Sequence, residues 1–151
     1  MLRVLPAGVL LLFALGVSAD DAASKKMLKD LEGSYSAISM SKAGEPAPDE
    51  YLKTISFNVK GDTFTVTFKK GDASEDKAAT ALIDSTQKPI AIDLTPKDGP
   101  EVGKPMLGII KIEKDSITLC WTDRGEKTDR PKEFSSTKEN KQFLIVMKKK
   151  K

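Results

Sequence analysis

From Lys88 to Met147 the chain is a succession of short apolar segments separated by turn residues, with an arginine-proline pair at Arg130 and Pro131. Runs of this length fit strands and are too short for helices, so the stretch confines the chain to an all-β fold. Ile90, Ile92 and Leu94 alternate with Ala91 and Asp93, and Ile117, Leu119 and Trp121 alternate with Thr118 and Cys120. Phe143, Ile145 and Met147 share a third apolar face. Successive residues of a strand point to opposite faces, so each segment turns one apolar row to a core. Nothing in the stretch has the spacing of a catalytic constellation.

The same reading extends upstream. Gly33 to Met40 is expected to be a first strand, with Tyr35 and Ala37 inward, followed by a loop from Ser41 to Asp49 marked by Gly44, Pro46 and Pro48. Ile55, Phe57 and Val59, then Phe64, Val66 and Phe68, alternate around Lys60-Gly61-Asp62, the signature of a hairpin. Ala78 to Asp84 and Ile90 to Leu94 give two more strands, and Thr95 to Pro105 a loop rich in proline and glycine. Met106–Glu113 and Ser116–Thr122 flank a second tight turn, and Phe143–Lys148 closes the set. About eight strands in meander order favour an antiparallel sheet closed into a barrel, which removes the exposed edges.

The N-terminus sets the compartment. Arg3 precedes an apolar run from Val4 to Val17 that ends in Val17-Ser18-Ala19. A basic start, an apolar middle of about 7–15 residues and small residues before the cut define an export signal, with cleavage expected after Ala19. Asp20 and Asp21 interrupt the run before the roughly 20 apolar residues of a membrane span. Residues 1–19 are thus read as signal, 20–147 as a single barrel domain and 148–151 as a basic tail. A short amphipathic helix is expected from Ser24 to Leu31, capped by Ser24, with Met27, Leu28 and Leu31 facing one end of the barrel.

Composition excludes several chemistries. Without residues 1–19 the chain has 24 basic and 22 acidic residues, and leaving out Lys148 to Lys151 turns its net charge to −2. No basic face of the kind that nucleic acid requires is evident. The chain has no histidine and one cysteine, which removes Ser-His-Asp and Cys-His catalysis, imidazole zinc sites and any internal disulfide. Cys120 is expected to be a small half-buried side chain. Asp72, Glu75 and Asp76 are the densest acidic cluster and lack the EF-hand pattern, so they are read as a solvated loop. No cofactor and no metal are expected.

Several groups of residues, in order, carry a resemblance: Leu31, Gly33 and Tyr35; Lys60-Gly61-Asp62 with Phe64; Pro89 with Ala91-Ile92-Asp93-Leu94; Gly108-Ile109; Leu119-Cys120; and Arg130-Pro131 with Phe134-Ser135-Ser136. Together they resemble the planctomycetal conserved hypothetical domain family of small exported proteins, over roughly Leu28 to Met147. The resemblance implies a fold similar in outline to lipocalin-like barrels, and no mechanism. In such barrels a first-strand Gly-x-Trp closes the base; Gly33-Ser34-Tyr35 stands in the matching place, with tyrosine for tryptophan.

The expected site follows from this barrel. Tyr35, Phe57, Phe64, Val66, Ile92, Ile110 and Trp121, together with Ile55, are placed in the interior, where they either line a ligand cavity or fill it. Arg130, extended by Pro131, is expected to clamp the barrel or to lie across Tyr35 or Trp121, and Phe134 to act as lid or base plug. The leading function is an exported, non-enzymatic binding or interaction module of lipocalin-like outline, its ligand unidentified, with a small apolar molecule as the occupant if the interior is open. Next comes a structural cell-envelope protein acting through surface loops and the lysine tail, and a histidine-free hydrolase ranks last.

Overall fold

The computed structural model describes residues 19–122 and 129–151. Residues 1–18, nearly all of the segment read as an export signal, lie outside them. In chain order the described residues form α1 (Ala19–Asp30), β1 (Gly33–Lys42), β2 (Glu45–Pro46), α2 (Asp49–Leu52), β3 (Ile55–Lys60), β4 (Thr63–Lys70), β5 (Ala73–Asp84), β6 (Ile90–Pro96), β7 (Met106–Ile112), β8 (Ser116–Thr122) and β9 (Gln142–Lys149).

Every sheet pairing is antiparallel. Apart from the two-residue β2, which only extends the end of β1, the order is β1-β3-β4-β5-β6-β7-β8-β9. β9 then pairs with β1, from Tyr35 opposite Lys149 to Lys42 opposite Phe143, so eight strands close into a barrel. The all-β meander expected from the alternation is the observed architecture. The closing pair carries a bulge, with Ile38 extra between Ala37 and Ser39; such an insertion bends a strand and sharpens its twist where a barrel must turn.

The inner face is one continuous core. Ile83, Ile92, Gly108 and Trp121 lie in one cross-strand row, and Ile90, Ile110, Leu119 and Ile145 in the next. Gly108 owes its identity to this row: a Cβ there would come within 2.8 Å of the Cys120 carbonyl oxygen and 3.4 Å of the Trp121 Cβ. The missing side chain lets β7 and β8 approach beneath the indole. Trp121 stacks on Phe143 at 5.0 Å between ring centroids, with the planes 10° apart, and the Lys42 ammonium sits 5.0 Å from the Phe143 ring.

α1 caps the opposite end. Leu28 and Leu31 are buried in the barrel core, and the Tyr35 hydroxyl donates a 2.7 Å hydrogen bond to the Leu31 carbonyl. Ser24 is not the helix cap that the sequence suggests, since the helix begins at Ala19. It lies within the helix, buried, and its hydroxyl accepts the Ile83 backbone N–H at 2.9 Å. β4 begins at Thr63, opposite Thr80, and Asp62 still accepts from Ala81. Ile83 has run beyond that strand, and the helix supplies the acceptor that the sheet no longer provides.

Three expected boundaries shift. Glu75 and Asp76 are not in a loop: β5 starts at Ala73, and Gly71, at φ 61°, lets the hairpin turn tightly enough for pairing from Lys70 onward. The cluster stays exposed, with Thr67 donating to Asp76 at 2.7 Å and Glu75 lying 4.0 Å from both Lys70 and Lys77. The Ser41–Asp49 loop holds a tight hairpin, because Ala43 and Gly44 both take positive φ, 48° and 81°, as a type I′ turn requires. β9 continues to Lys149, so two of the four terminal lysines belong to the barrel.

Gly108→Ala is expected to lower the unfolding free energy by about 1–3 kcal/mol, because the backbone oxygen it meets cannot swing aside. Urea denaturation measures this, and an unchanged midpoint would contradict the packing described.

Candidate functional site

The residues expected to line the interior occupy the inner face unequally. Tyr35, Phe64, Ile92 and Ile110 are fully buried there, and Phe57 and Trp121 are half-buried against the same core. Ile55 is buried at the start of β3, beside α2. Val66 is half-buried and pairs with the exposed Lys77, where the β4–β5 hairpin runs out of the barrel wall. Burial also raises the Tyr35 phenol above its ordinary pKa. From Leu28 and Leu31 at one end to Trp121 at the other, side chains of the core cluster fill this space.

Arg130 and Phe134 are not part of the interior. Segment 129–141 runs as a strap over the outer wall, across the outward row Ala91, Ile109 and Cys120, all three of them buried. Arg130 does not lie across Tyr35 or Trp121. Its guanidinium donates to the Gly108 carbonyl at 2.7 Å, to the Ile92 carbonyl at 3.1 Å and to the Asp93 carboxylate at 2.7 Å. It therefore ties the strap to the β6–β7 ladder, whereas the barrel itself is closed by the β1–β9 pairing. Phe134 is half-buried within the strap, between the Glu133 and Ser135 carbonyls that approach Cys120, and the base plug is α1 instead. Sequence alternation places Cys120 correctly on the outer face, but the strap covers it completely.

The Cys120 sulfur lies 3.5 Å from the Ser135 carbonyl, 3.5 Å from the Gln142 amide oxygen and 3.7 Å from the Glu133 carbonyl. Burial pushes the thiol above its ordinary pKa and outweighs the lowering effect of the Ser135 contact. It is a protonated, covered thiol. Among the described residues no group of three or more His, Cys, Asp or Glu is placed to hold a metal ion, and no helix is long and apolar enough to cross a membrane.

Among the described residues, concavities open at the base of the barrel and on its outer wall. The first, about 440 Å³, opens at the base between α1 and the β7–β8 turn. α1 packs on the β5 and β3 side, which leaves the β7–β8 side of the base partly open. Met27, Ile90 and Ile112 are half-buried there, beside the buried Leu31, Tyr35 and Ile117. Its rim is charged. Glu113 is held below the usual carboxylate range by the Lys111 ammonium at 3.1 Å and by the Ser116 hydroxyl at 3.0 Å. A cleft of this volume with a mainly apolar wall suits a small organic ligand. Of its residues only Tyr35 was among the candidates, because the meeting of Met27 with Ile112 depends on where the helix docks. The second concavity lies on the outer wall beside α2.

Comparison with family models, with curated proteins and with solved structures finds no match to this chain. The fold and its clefts therefore carry the functional argument by themselves.

Two outcomes follow. Arg130→Lys keeps the charge but cannot reach two carbonyls and a carboxylate at once, so it is expected to cost about 1.5 kcal/mol, the low end for charged hydrogen bonds because the pair is partly exposed; thermal denaturation reads it, and no shift would remove Arg130 as the tie of the strap. Cys120, its pKa raised, stays a neutral thiol at about pH 8. A small disulfide reagent should leave the native protein unmodified and react as fast as the chain unfolds, whereas rapid labelling of folded protein would show the strap to be open.

Proposed function

We propose that this chain is an exported, non-catalytic binding module of lipocalin-like outline, and that it holds a small apolar ligand in the base cleft rather than inside the barrel. Membership of the planctomycetal family of small exported proteins is part of the same proposal. The observation that carries it is the apolar wall of Met27, Ile90 and Ile112, left half-exposed in a cleft that joins the barrel core. Leaving three large apolar side chains partly in water forgoes stabilisation of about 25 cal/mol per Å² of apolar surface, and a ligand recovers it. The Tyr35 hydroxyl is already engaged by Leu31, so an entering molecule need not satisfy it. The lack of histidine and the protonated state of Cys120 support a role without covalent chemistry.

Titration of the purified protein with the neutral fluorophore N-phenylnaphthylamine tests this reading. The expected result is saturable binding to one site, weakened about tenfold or more, or 1.4 kcal/mol, by Ile112→Glu, which sets a charge in the apolar wall. Met27→Ser, on the helix side of the cleft, should weaken binding as well without touching the sheet. No saturable binding, or binding indifferent to both substitutions, would contradict the proposal and leave the structural envelope role as the better account.

A further inference from the structure

β1 and β3 are in register only from Gly33 opposite Val59 to Ser36 opposite Ser56. Beyond those serines the strands part, α2 packs beside β1 in the gap, and a groove of about 460 Å³ opens between them. Alternation sends the side chains of Ser36 and Ser56 outward, opposite in sense to Tyr35 and Phe57, so both hydroxyls face this groove. Ile38, displaced by the bulge and 50% exposed, contributes apolar lining together with Leu52 and Ile55.

Three lysines reach the groove from three parts of the chain: Lys53 after α2, Lys69 near the end of β4 and Lys150 after β9. Asp49 is the one carboxylate in the lining. Lys53 is engaged by Glu50 at 3.2 Å. Neither Lys69 nor Lys150 is ion-paired to any described residue. Both are nonetheless fixed in the backbone, for the Lys69 N–H donates to the Thr54 carbonyl at 2.9 Å and the Lys150 N–H to the Ser34 carbonyl at 2.8 Å. The ladder holds two uncompensated ammonium stems beside paired hydroxyls and an apolar lining.

We propose that this groove is a second binding site, selective for a small organic anion whose oxyanion lies between Lys69 and Lys150 and whose apolar body rests on Ile38 and Leu52. An oxyanion in the groove accepts charge-assisted hydrogen bonds from the two ammonium groups, while Ser36 and Ser56 add neutral donors. A concave volume of a few hundred Å³ fits a small molecule better than a flat membrane surface. Because both cations are at the surface, the affinity falls as salt rises. The site is separate from the base cleft and does not depend on it.

The test is amide-resolved NMR titration of the full chain with naphthoate, naphthalene sulfonate and naphthyl phosphate, against the neutral naphthylmethanol. The three anions distinguish carboxylate, sulfonate and phosphate chemistry on one apolar body. At least one should shift the amides of Ser36, Ile38, Ser56 and Lys69, and Lys69→Gln with Lys150→Gln should weaken it about tenfold or more while leaving the alcohol unaffected. The two substitutions are at exposed positions, and an otherwise unchanged amide spectrum confirms the fold. Anions that bind no tighter than the alcohol, that ignore the double substitution, or that shift Met27 and Ile112 instead would overturn the proposal. Binding to phosphatidylglycerol vesicles without binding to the small anions would overturn it too, in favour of a membrane surface.

Discussion

The pairing of the first strand with the last is the constraint on which the remaining structure depends. From Tyr35 opposite Lys149 to Lys42 opposite Phe143, this ladder turns an eight-stranded ribbon into a barrel and leaves neither terminal strand with a free edge. It also fixes the inside. Ala37 meets Met147 and Met40 meets Ile145 across it, which completes rows begun by Ile112 with Ile117 and by Ile110 with Leu119. Without closure those rows would end in water, and α1 would have no base to plug. The terminal lysines are drawn into this closure, since the strand includes Lys148 and Lys149 and the Lys150 amide still bonds to Ser34.

Both clefts occur where strand pairing runs out. β4 starts too late to accompany β5 to its end, so α1 takes over, with Ser24 accepting from Ile83. One helix cannot cover the whole base, and the β7–β8 side stays open. β1 and β3 separate after Ser36 and Ser56, and α2 fills part of that gap. The interior, in contrast, is packed from helix to tryptophan, and the outer wall over Ala91, Ile109 and Cys120 is sealed by the strap. Binding capacity in this fold is thus a property of ladder ends, where backbone and apolar side chains lack their usual neighbours.

Much of this architecture was legible in the sequence because alternation reports burial directly. Ile55, Phe57 and Val59 opposite Phe64, Val66 and Phe68, or Ile117 and Leu119 opposite Ile112 and Ile110, need no more than a period of two and a turn between them. The outer half of β5 escaped because Ser74 to Lys77 is polar on both faces, and a strand that leaves the barrel carries no apolar period. β2 escaped because two residues have no period at all. The site was less legible than the fold. Arg130 binds carbonyls of two strands far away in sequence, and nothing local in Arg130-Pro131 identifies them. Cys120 reads as half-buried because the strap that covers it comes after the strand in sequence and has no regular structure. Met27 reads as part of the helix face towards the barrel and Ile112 only as one residue of a strand, and the docking of the helix is what leaves them facing a cleft.

The most direct test of closure is the set of cross-strand nuclear Overhauser effects between β1 and β9. Contacts from Ala37 to Met147 and from Met40 to Ile145, with slow amide exchange on both strands, are the result required by the barrel. Absence of those contacts, together with fast exchange along β1 and β9, would mean an open sheet, and neither the packed interior nor the clefts at its ends would survive that finding.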